Sequence, residues 1–283
     1  MSPDADDTRP DSGPPLERFE YVPESVLVVV AHPDDCDFLA ASVLSALVRQ
    51  GSQGAICLVT DGDAGSDDPS IPMGELSRIR LEEQRRAAAH LGVDQVLCLG
   101  YPDGMLQNTL EVRRDLVRVL RTVRPELVIT MDPTARFFGR GYINHPDHRA
   151  AADACLDAVF PSARDARAFP ELLSAEGLRP HKVRFVLVGS GDGADVAVPV
   201  EELDLENQLA ALGEHTSQFD AGPMRDHIWE EARRLGARTG VPLAESYRLF
   251  DLVPNPSQRD YRRKEEQPAP GAPPPRPAAS NWG

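Results

Sequence analysis

Residues 26–38 read VLVVVAHPDDCDF, an apolar run that passes directly into a polar turn. The run is as long as a strand and contains no polar residue, which is typical of a strand covered on both faces. After the turn, apolar residues recur at helical spacing over residues 38–49, and Gly51 follows where a helix often ends. This stretch therefore predicts a buried strand, a turn rich in histidine and aspartate, and a helix.

The same alternation of strand and helix continues along the chain. Further strands are predicted over residues 55–60, 96–100, 127–131, 183–188 and 196–200. Further helices are predicted over residues 75–91, 110–123, 146–160, 201–213 and 224–235. This order favours a Rossmann-like α/β fold, with a mostly parallel sheet that carries helices on both faces and forms a single domain.

The two ends of the chain differ in composition from the rest. Residues 1–20 and 264–283 are rich in proline and poor in apolar residues, so we expect two disordered tails around a domain of residues 21–263. The N-terminal residues lack the pattern of a signal peptide, and no apolar run is long enough to span a bilayer. Because the four cysteines form no C-x-x-C pair, we expect reduced thiols and a cytoplasmic protein.

The net charge argues against two classes of partner. The 283 residues include 30 Lys and Arg against 45 Asp and Glu, which gives a formal charge of −15. Nucleic-acid binding without sequence preference needs basic side chains to replace phosphate counterions. An anionic membrane surface would repel the protein for the same reason. We therefore expect neither nucleic acid nor a membrane as a partner.

Polar clusters follow the carboxyl ends of four predicted strands. They read HPDDCD from residue 32, DGDAGSDD from residue 61, YPDG from residue 101, and DP at residue 132 with a loop that leads to HPDH at residue 145. The carboxyl ends of parallel strands share one edge of a sheet, and ligands bind along that edge. We therefore expect the four clusters to converge.

Two of these clusters contain residues that suit a catalytic metal site. A catalytic zinc ion takes three protein ligands and leaves one position for water, and His32, Asp35 and His148 can supply such a set. The same set would admit iron or cobalt. Asp34 is then free to act as a base, and His145 can donate to an oxyanion. Since HPDD alone could equally be a helix N-cap, the hypothesis depends on both clusters lying at one edge.

The motifs AHPDD at residues 31–35 and HPDHR at residues 145–149 resemble those of a known family, the LmbE-like or PIG-L zinc-dependent N-acetylglucosaminyl deacetylases. In their residues these motifs are most similar to the diacetylchitobiose deacetylase-like branch. The resemblance implies one zinc ion on three ligands, His32, Asp35 and His148. It implies that Asp34 is the general base, that His145 stabilises the oxyanion, and that Asp147 orients His145.

The resemblance also implies residues that bind the substrate, a small amino sugar. Arg80 and Asp103 match positions that hold sugar hydroxyl groups in the family. The segment FFGRGYIN at residues 137–144 looks inserted relative to the family. Either Tyr142 or Asn144, both in this segment, is therefore a candidate to cover the substrate.

Different classes of function fit this sequence. The first is an enzyme that removes the N-acetyl group from a GlcNAc-containing small molecule or glycoconjugate with zinc-activated water. The alternatives are a sugar- or nucleotide-binding module with a structural metal, or an amidase or esterase with the same site. A closed structural site would use a fourth protein ligand, so the free carboxylate of Asp34 favours the enzyme. The sequence allows a homo-oligomer and leaves the particular substrate open.

Overall fold

The computed structural model describes residues 15–66, 68, 70–189 and 193–252. Outside the described residues lie positions 1–14 of the predicted N-terminal tail, residues 253–263 of the predicted domain and the whole predicted C-terminal tail, residues 264–283. The strands in the described part are β1 (Glu17–Arg18), β2 (Ser25–Val30), β3 (Gln53–Thr60), β4 (Gln95–Tyr101), β5 (Leu127–Met131), β6 (Phe137–Phe138), β7 (Tyr142–Ile143), β8 (Phe185–Gly189), β9 (Val196–Pro199) and β10 (Ala244–Asp251). The α-helices there are α1 (Asp35–Leu39), α2 (Ala41–Arg49), α3 (Met73–His90), α4 (Leu110–Val123), α5 (Pro146–Val159), α6 (Pro170–Ser174), α7 (Glu202–Leu212) and α8 (Arg225–Ala237).

Eight of the described strands form one sheet, in the order β1-β9-β10-β8-β5-β2-β3-β4. The strands from β8 to β4 along this order run parallel to one another. Strand β10 is antiparallel to both of its neighbours, β8 and β9. Strands β6 and β7 form a separate hairpin. The prediction of a mostly parallel α/β sheet is confirmed.

Both faces of the central strand β2 are covered. Val26, Val28 and Val30 pack into a cluster with apolar residues of α2, α3 and α7. Leu27 and Val29 point to the other face and pack with residues of α4 and α5. All five side chains are fully buried. Burial on both faces explains why this strand is a continuous apolar run rather than an alternating one.

The turn after β2 lies where the order of the strands reverses. From β2 the chain continues to β3 and β4 on one side, whereas β5 and β8 lie on the other side. Open α/β sheets bind ligands at such a point, outside the carboxyl ends of the strands. The residues after β2 and the loop between β5 and α5 therefore meet at this edge.

The beginning of the domain differs from the prediction. The predicted start at residue 21 is too late, because Leu16 and Phe19 are buried and β1 pairs with β9. The Phe19 ring also packs edge-on against Phe185, with 5.4 Å between the centroids. Two apolar residues are too few to distinguish this segment from the acidic, proline-rich sequence before it.

Two further differences concern secondary structure. The helix predicted over residues 38–49 is divided into α1 and α2 at Ala40, whose φ of −146° lies outside the helical region. Strand β10 was not predicted, because its sequence AESYRLFD mixes charged and apolar residues and only Ala244 and Tyr247 of its eight residues are buried. Pairing with β8 and β9 therefore determines this strand more than its own pattern does.

Two further features of the described residues are the character of the helices and the state of the cysteines. In the part of the chain that the structure describes, no helix is both long and apolar enough to cross a membrane. All four cysteines are free thiols, and three of them are buried.

Candidate active site

The turn between β2 and α1 brings two aspartates and a histidine to the carboxyl edge of the sheet. The Asp35 carboxylate folds back to accept the backbone N–H of His32 over 2.7 Å. Asp34, the residue before α1, has a φ of +97°, which side chains with a Cβ rarely adopt. This backbone directs the neighbouring side chains of Asp34 and Asp35 to different partners.

Each ring nitrogen of His32 lies beside a carboxylate. Nδ1 is 3.2 Å from Asp35 Oδ2, and Nε2 is 3.0 Å from Asp103 Oδ1 and 3.4 Å from Asp147 Oδ2. Burial opposes a charge on this ring, but the contacts with Asp103, Asp147 and Asp35 raise the pKa of His32 to about 11. The surroundings of His32 therefore favour a positive charge, which a proton or a metal ion can supply.

His148 meets the same carboxylate from the other side of the site. Its Nε2 lies 3.1 Å from Asp35 Oδ1, and its Nδ1 is 2.9 Å from Asn144 Oδ1. The Asn144 side chain is fixed in turn, because its Nδ2 donates to the carbonyl oxygen of Ala135 over 2.7 Å. Helix α5 begins at Pro146, whose fixed φ suits a first helical turn, and so projects His148 into the site.

The arrangement fits a divalent metal ion. Asp35 contacts His32 with one oxygen and His148 with the other. Burial would raise the pKa of Asp35, but His148 and His32 hold that pKa below its ordinary value, so the carboxylate is ionised. Ring nitrogens of His32, His145 and His148 also lie within 4.8 Å of one another. Imidazole and carboxylate groups on separate elements form the donor set that zinc and similar ions take.

A second group of three could also hold a metal ion: His32, Asp103 and Asp147. Two observations favour Asp35, rather than Asp103 and Asp147, as the carboxylate that shares a metal ion with His32. Asp147 already accepts the backbone N–H groups of Gly104 and Leu106, over 2.7 and 3.2 Å. Metal-bound histidines commonly hold their other nitrogen against a carboxylate, which is the relation that Asp103 and Asp147 have to Nε2 of His32. Nδ1 of His32 is then the nitrogen available for a metal shared with Asp35.

Asp34 is supported by Arg80, which is buried. Arg80 Nη2 donates to Asp34 Oδ2 over 3.2 Å and to the Pro33 carbonyl over 2.8 Å, and Nη1 donates to the Gly62 carbonyl. Burial and the nearby charge of Asp35 raise the pKa of Asp34 above its ordinary value, and Arg80 opposes that rise. A carboxylate with a raised pKa beside a metal site is suited to accept and return a proton.

The structure places Arg80 and Asp103 differently from the expectation that they bind sugar hydroxyl groups. The Arg80 side chain is 5% exposed and the Asp103 side chain is 7% exposed. Arg80 holds Asp34, while Asp103 contacts His32 and accepts the backbone N–H of Ala64 over 3.3 Å. Both side chains are therefore engaged in arranging the site.

His145 lies beside His32, and Asp147 contacts it through its backbone rather than through its carboxylate. Its ring centroid is 4.7 Å from that of His32. Within the described residues the Asp147 carboxylate makes no hydrogen bond to His145; instead the backbone N–H of Asp147 donates to Nδ1 of His145 over 3.3 Å. Burial and the charge of His32 lower the pKa of His145. A neutral His145 that accepts at Nδ1 carries its proton on Nε2.

A cavity of about 460 Å³ adjoins the candidate metal ligands Asp35 and His148. Asp35, His148 and Asn144 line one part of it, and apolar side chains line much of the rest: Phe38, Leu39, Met131, Phe138 and Tyr247. Tyr142, on the β6–β7 hairpin, also lines the cavity and is 52% exposed. Of the two predicted covering residues, Tyr142 is open to a ligand, whereas Asn144 is engaged with His148 and Ala135.

Two contacts in the site were not foreseen from the sequence. The contact of Asn144 with His148 joins residues four apart at the start of a helix, a spacing at which side chains often meet. That spacing could have indicated the contact. The contact of Asp103 with His32 joins the turns after β4 and β2, which are not neighbouring strands. No local pattern signals such a pairing.

Comparisons with known proteins decide the family. The family model PIG-L, described as GlcNAc-PI de-N-acetylase, matches residues 27–159. The diacetylchitobiose deacetylase of Thermococcus kodakarensis is 32% identical over 214 residues, which are 76% of this chain and 75% of the relative. The chain belongs to the PIG-L family.

Two further relatives are named as deacetylases, and one of them is a solved structure. The solved structure of N,N'-diacetylchitobiose deacetylase from Pyrococcus horikoshii matches with a TM-score of 0.70 and 30% identity, over 81% of this chain and 84% of that chain. The probable N-acetyl-alpha-D-glucosaminyl L-malate deacetylase 2 of Bacillus anthracis is 29% identical over 205 residues, which are 69% of this chain and 81% of the relative. The predicted family, the α/β fold and the class of enzyme, an N-deacetylase, are confirmed.

Proposed function

We propose that this PIG-L family member removes the N-acetyl group from a GlcNAc-containing small molecule or glycoconjugate and that zinc is its metal. The observation that carries the proposal is the position of Asp34. Its carboxylate stays outside the group formed by His32, Asp35 and His148, and its pKa is raised. The site thus combines a donor set for one metal ion with a separate base.

Three residues of the chain would hold the metal: His32, Asp35 and His148. When bound, a zinc ion supplies a Lewis acid and lowers the pKa of water towards neutrality. Asp103 and Asp147 keep the His32 ring in place, and Asn144 does the same for His148. Side chains held in this way would present their ligand atoms to a metal ion in a fixed orientation.

Asp34 would transfer the protons, and His145 would stabilise the negative charge on the oxyanion. Asp34 accepts the proton of the attacking water and returns it to the amine nitrogen as the C–N bond breaks. The Nε2–H of a neutral His145 donates to the oxyanion that forms from the carbonyl oxygen. The products are acetate and a free amine. Arg80 keeps the Asp34 carboxylate beside the site throughout.

The amino-sugar substrate is inferred from the relatives, whose names refer to diacetylchitobiose and N-acetylglucosaminyl malate. The cavity beside His148 offers room for such a group, and the Tyr142 and Phe138 rings at its wall suit the apolar face of a sugar. The free thiols support a reducing compartment such as the cytoplasm.

Release of a free amine tests the proposal. The purified, zinc-loaded protein would be incubated with GlcNAc, N,N'-diacetylchitobiose and a GlcNAc glycoside, and both amine and acetate would be quantified. We expect equal amounts of amine and acetate from at least one of these substrates. Hydrolysis confined to simple esters or non-sugar amides would favour the alternative amidase or esterase. Metal binding with no hydrolysis of any of them would favour a binding module.

A further inference from the structure

Asp34 has a backbone conformation that its surroundings must maintain. Its φ of +97° is rarely adopted by any residue with a Cβ, and it precedes a helix of only five residues. Such conformations persist where neighbouring groups impose them, and they often occur at active sites. The groups that bind the Asp34 backbone are therefore the ones that can impose this conformation.

The side chain of Gln84, on α3, binds the Asp34 backbone directly. Gln84 Oε1 accepts the backbone N–H of Asp34 over 2.8 Å, and Gln84 Nε2 donates to Asp37 Oδ2, also over 2.8 Å. A carboxylate only accepts hydrogen bonds, so Asp37 requires the amide NH₂ of Gln84 to face it. The carbonyl of Gln84 must then face Asp34, and the orientation of the amide is fixed.

Asp37 is itself held by a histidine in the loop after α7. His215 Nε2 lies 2.8 Å from Asp37 Oδ2, and both side chains are fully buried. Gln208 Nε2 also donates to the backbone carbonyl of Asp37 over 3.0 Å. A chain of contacts thus runs from His215 through Asp37 and Gln84 to the backbone of Asp34.

We propose that Gln84, Asp37 and His215 are positioning residues for Asp34. They hold the backbone of Asp34 in its unusual conformation, so that its carboxylate remains beside Arg80 and the metal ligands. None of the three is among the groups to which we assign chemistry, and His215 acts through two intermediate side chains. The inference rests on the proposed role of Asp34 as the base.

The test compares variants that break the chain of contacts with variants that keep it. His215→Leu and Gln84→Met remove the hydrogen-bonding groups and retain bulk. His215→Gln is the conservative variant, because its Nε2 can donate to Asp37 in place of the imidazole. Ser217→Ala is the matched control, since Ser217 lies in the same loop as His215 but donates to Glu83 Oε2 over 2.7 Å instead.

Two readouts separate positioning from mere stability. The first is kcat and KM for N,N'-diacetylchitobiose with saturating zinc. Misplacement of a catalytic group by about 1 Å can lower the rate about 100-fold, so we expect a fall of that order in kcat for His215→Leu and Gln84→Met, with little change in KM. His215→Gln and Ser217→Ala should keep kcat near that of the parent.

The second readout does not need activity. Hydrogen exchange of the Asp34 amide, followed by NMR, should become faster in His215→Leu and Gln84→Met and stay slow in the other two variants. If the Asp34 amide exchanges at the parent's rate in a folded His215→Leu or Gln84→Met protein, the proposal is overturned. This holds even if the parent protein is inactive. A parent that releases no amine would instead count against the proposed function. If His215→Leu does not fold, the exchange rate in Gln84→Met alone decides whether the proposal holds.

Discussion

Asp147 Oδ2 lies 3.4 Å from Nε2 of His32, the ring nitrogen that does not face Asp35. The sequence predicts that Asp147 orients His145; in the structure its backbone N–H contacts His145, while its carboxylate faces His32. The backbone N–H groups of Gly104 and Leu106 hold that carboxylate in place. Asp147 therefore joins the turn after β4 to the ring of a proposed metal ligand.

Asp147→Asn should weaken metal binding. Loss of a carboxylate that orients a histidine ligand typically lowers metal affinity by about 10–100-fold. The affinity for zinc would be measured by competition with a chromophoric chelator, with Asp226→Asn on the exposed face of α8 as the control. An affinity equal to that of the parent would mean that the contact with His32 has no part in holding the metal.

Asp34→Asn should retain the metal and lose most of the turnover. The amide keeps the shape of the side chain but cannot accept the proton of water, so kcat should fall by about 10²–10⁴-fold. Metal content and amine release would be measured on the same preparation. A rate within a few-fold of the parent would transfer the role of base to another residue.

Arg80→Lys distinguishes support of Asp34 from substrate binding. Lysine cannot reproduce the forked contacts with Asp34, Pro33 and Gly62. Since a hydrogen bond to a charged group contributes about 1.5–3 kcal/mol, we expect kcat to fall by about tenfold or more while KM stays nearly constant. A higher KM with an unchanged kcat would restore the sugar-binding role that the resemblance implied.

Glu245 should make the stability of the protein depend on pH. Burial, and then the charge of Glu231, raise the pKa of Glu245 to about 7, although a hydrogen bond from Ser42 opposes the rise. Because the folded state favours the neutral acid, its stabilising contribution is complete at low pH and is lost as the pH rises through about 7.

Glu245→Gln tests this expectation, because the amide cannot ionise. The Tm of the variant should exceed that of the parent at pH 9 by a few degrees, since about 1 kcal/mol corresponds to about 2–4 °C in a protein of this size. At pH 5 this advantage should disappear. Glu230→Gln, at an exposed position of α8, is the control. An equal Tm difference at both pH values would show that Glu245 does not titrate in this range.

Much of the fold follows from local sequence. The predicted helix over residues 110–123 and the predicted strand over residues 127–131 have the observed bounds, because both are strongly patterned and Pro125 separates the end of the helix from the start of the strand. The convergence of HPDD and HPDH follows from strand direction alone. The contacts that determine roles, such as Arg80 with Asp34 and Gln84 with Asp37, depend on how α3 packs against α1, and no periodicity encodes that packing.

The central claim is that one metal ion at the carboxyl edge of the sheet is required for N-deacetylation. The most direct measurement is a titration of the metal-stripped protein with zinc, with release of amine from N,N'-diacetylchitobiose as the readout. The account predicts no turnover without metal and full recovery at one equivalent of zinc in the parent. His148→Ala should show no recovery at that equivalent, while His90→Ala, whose side chain is 41% exposed, should behave as the parent. Full turnover by the metal-free protein, or normal recovery by His148→Ala, would contradict the account.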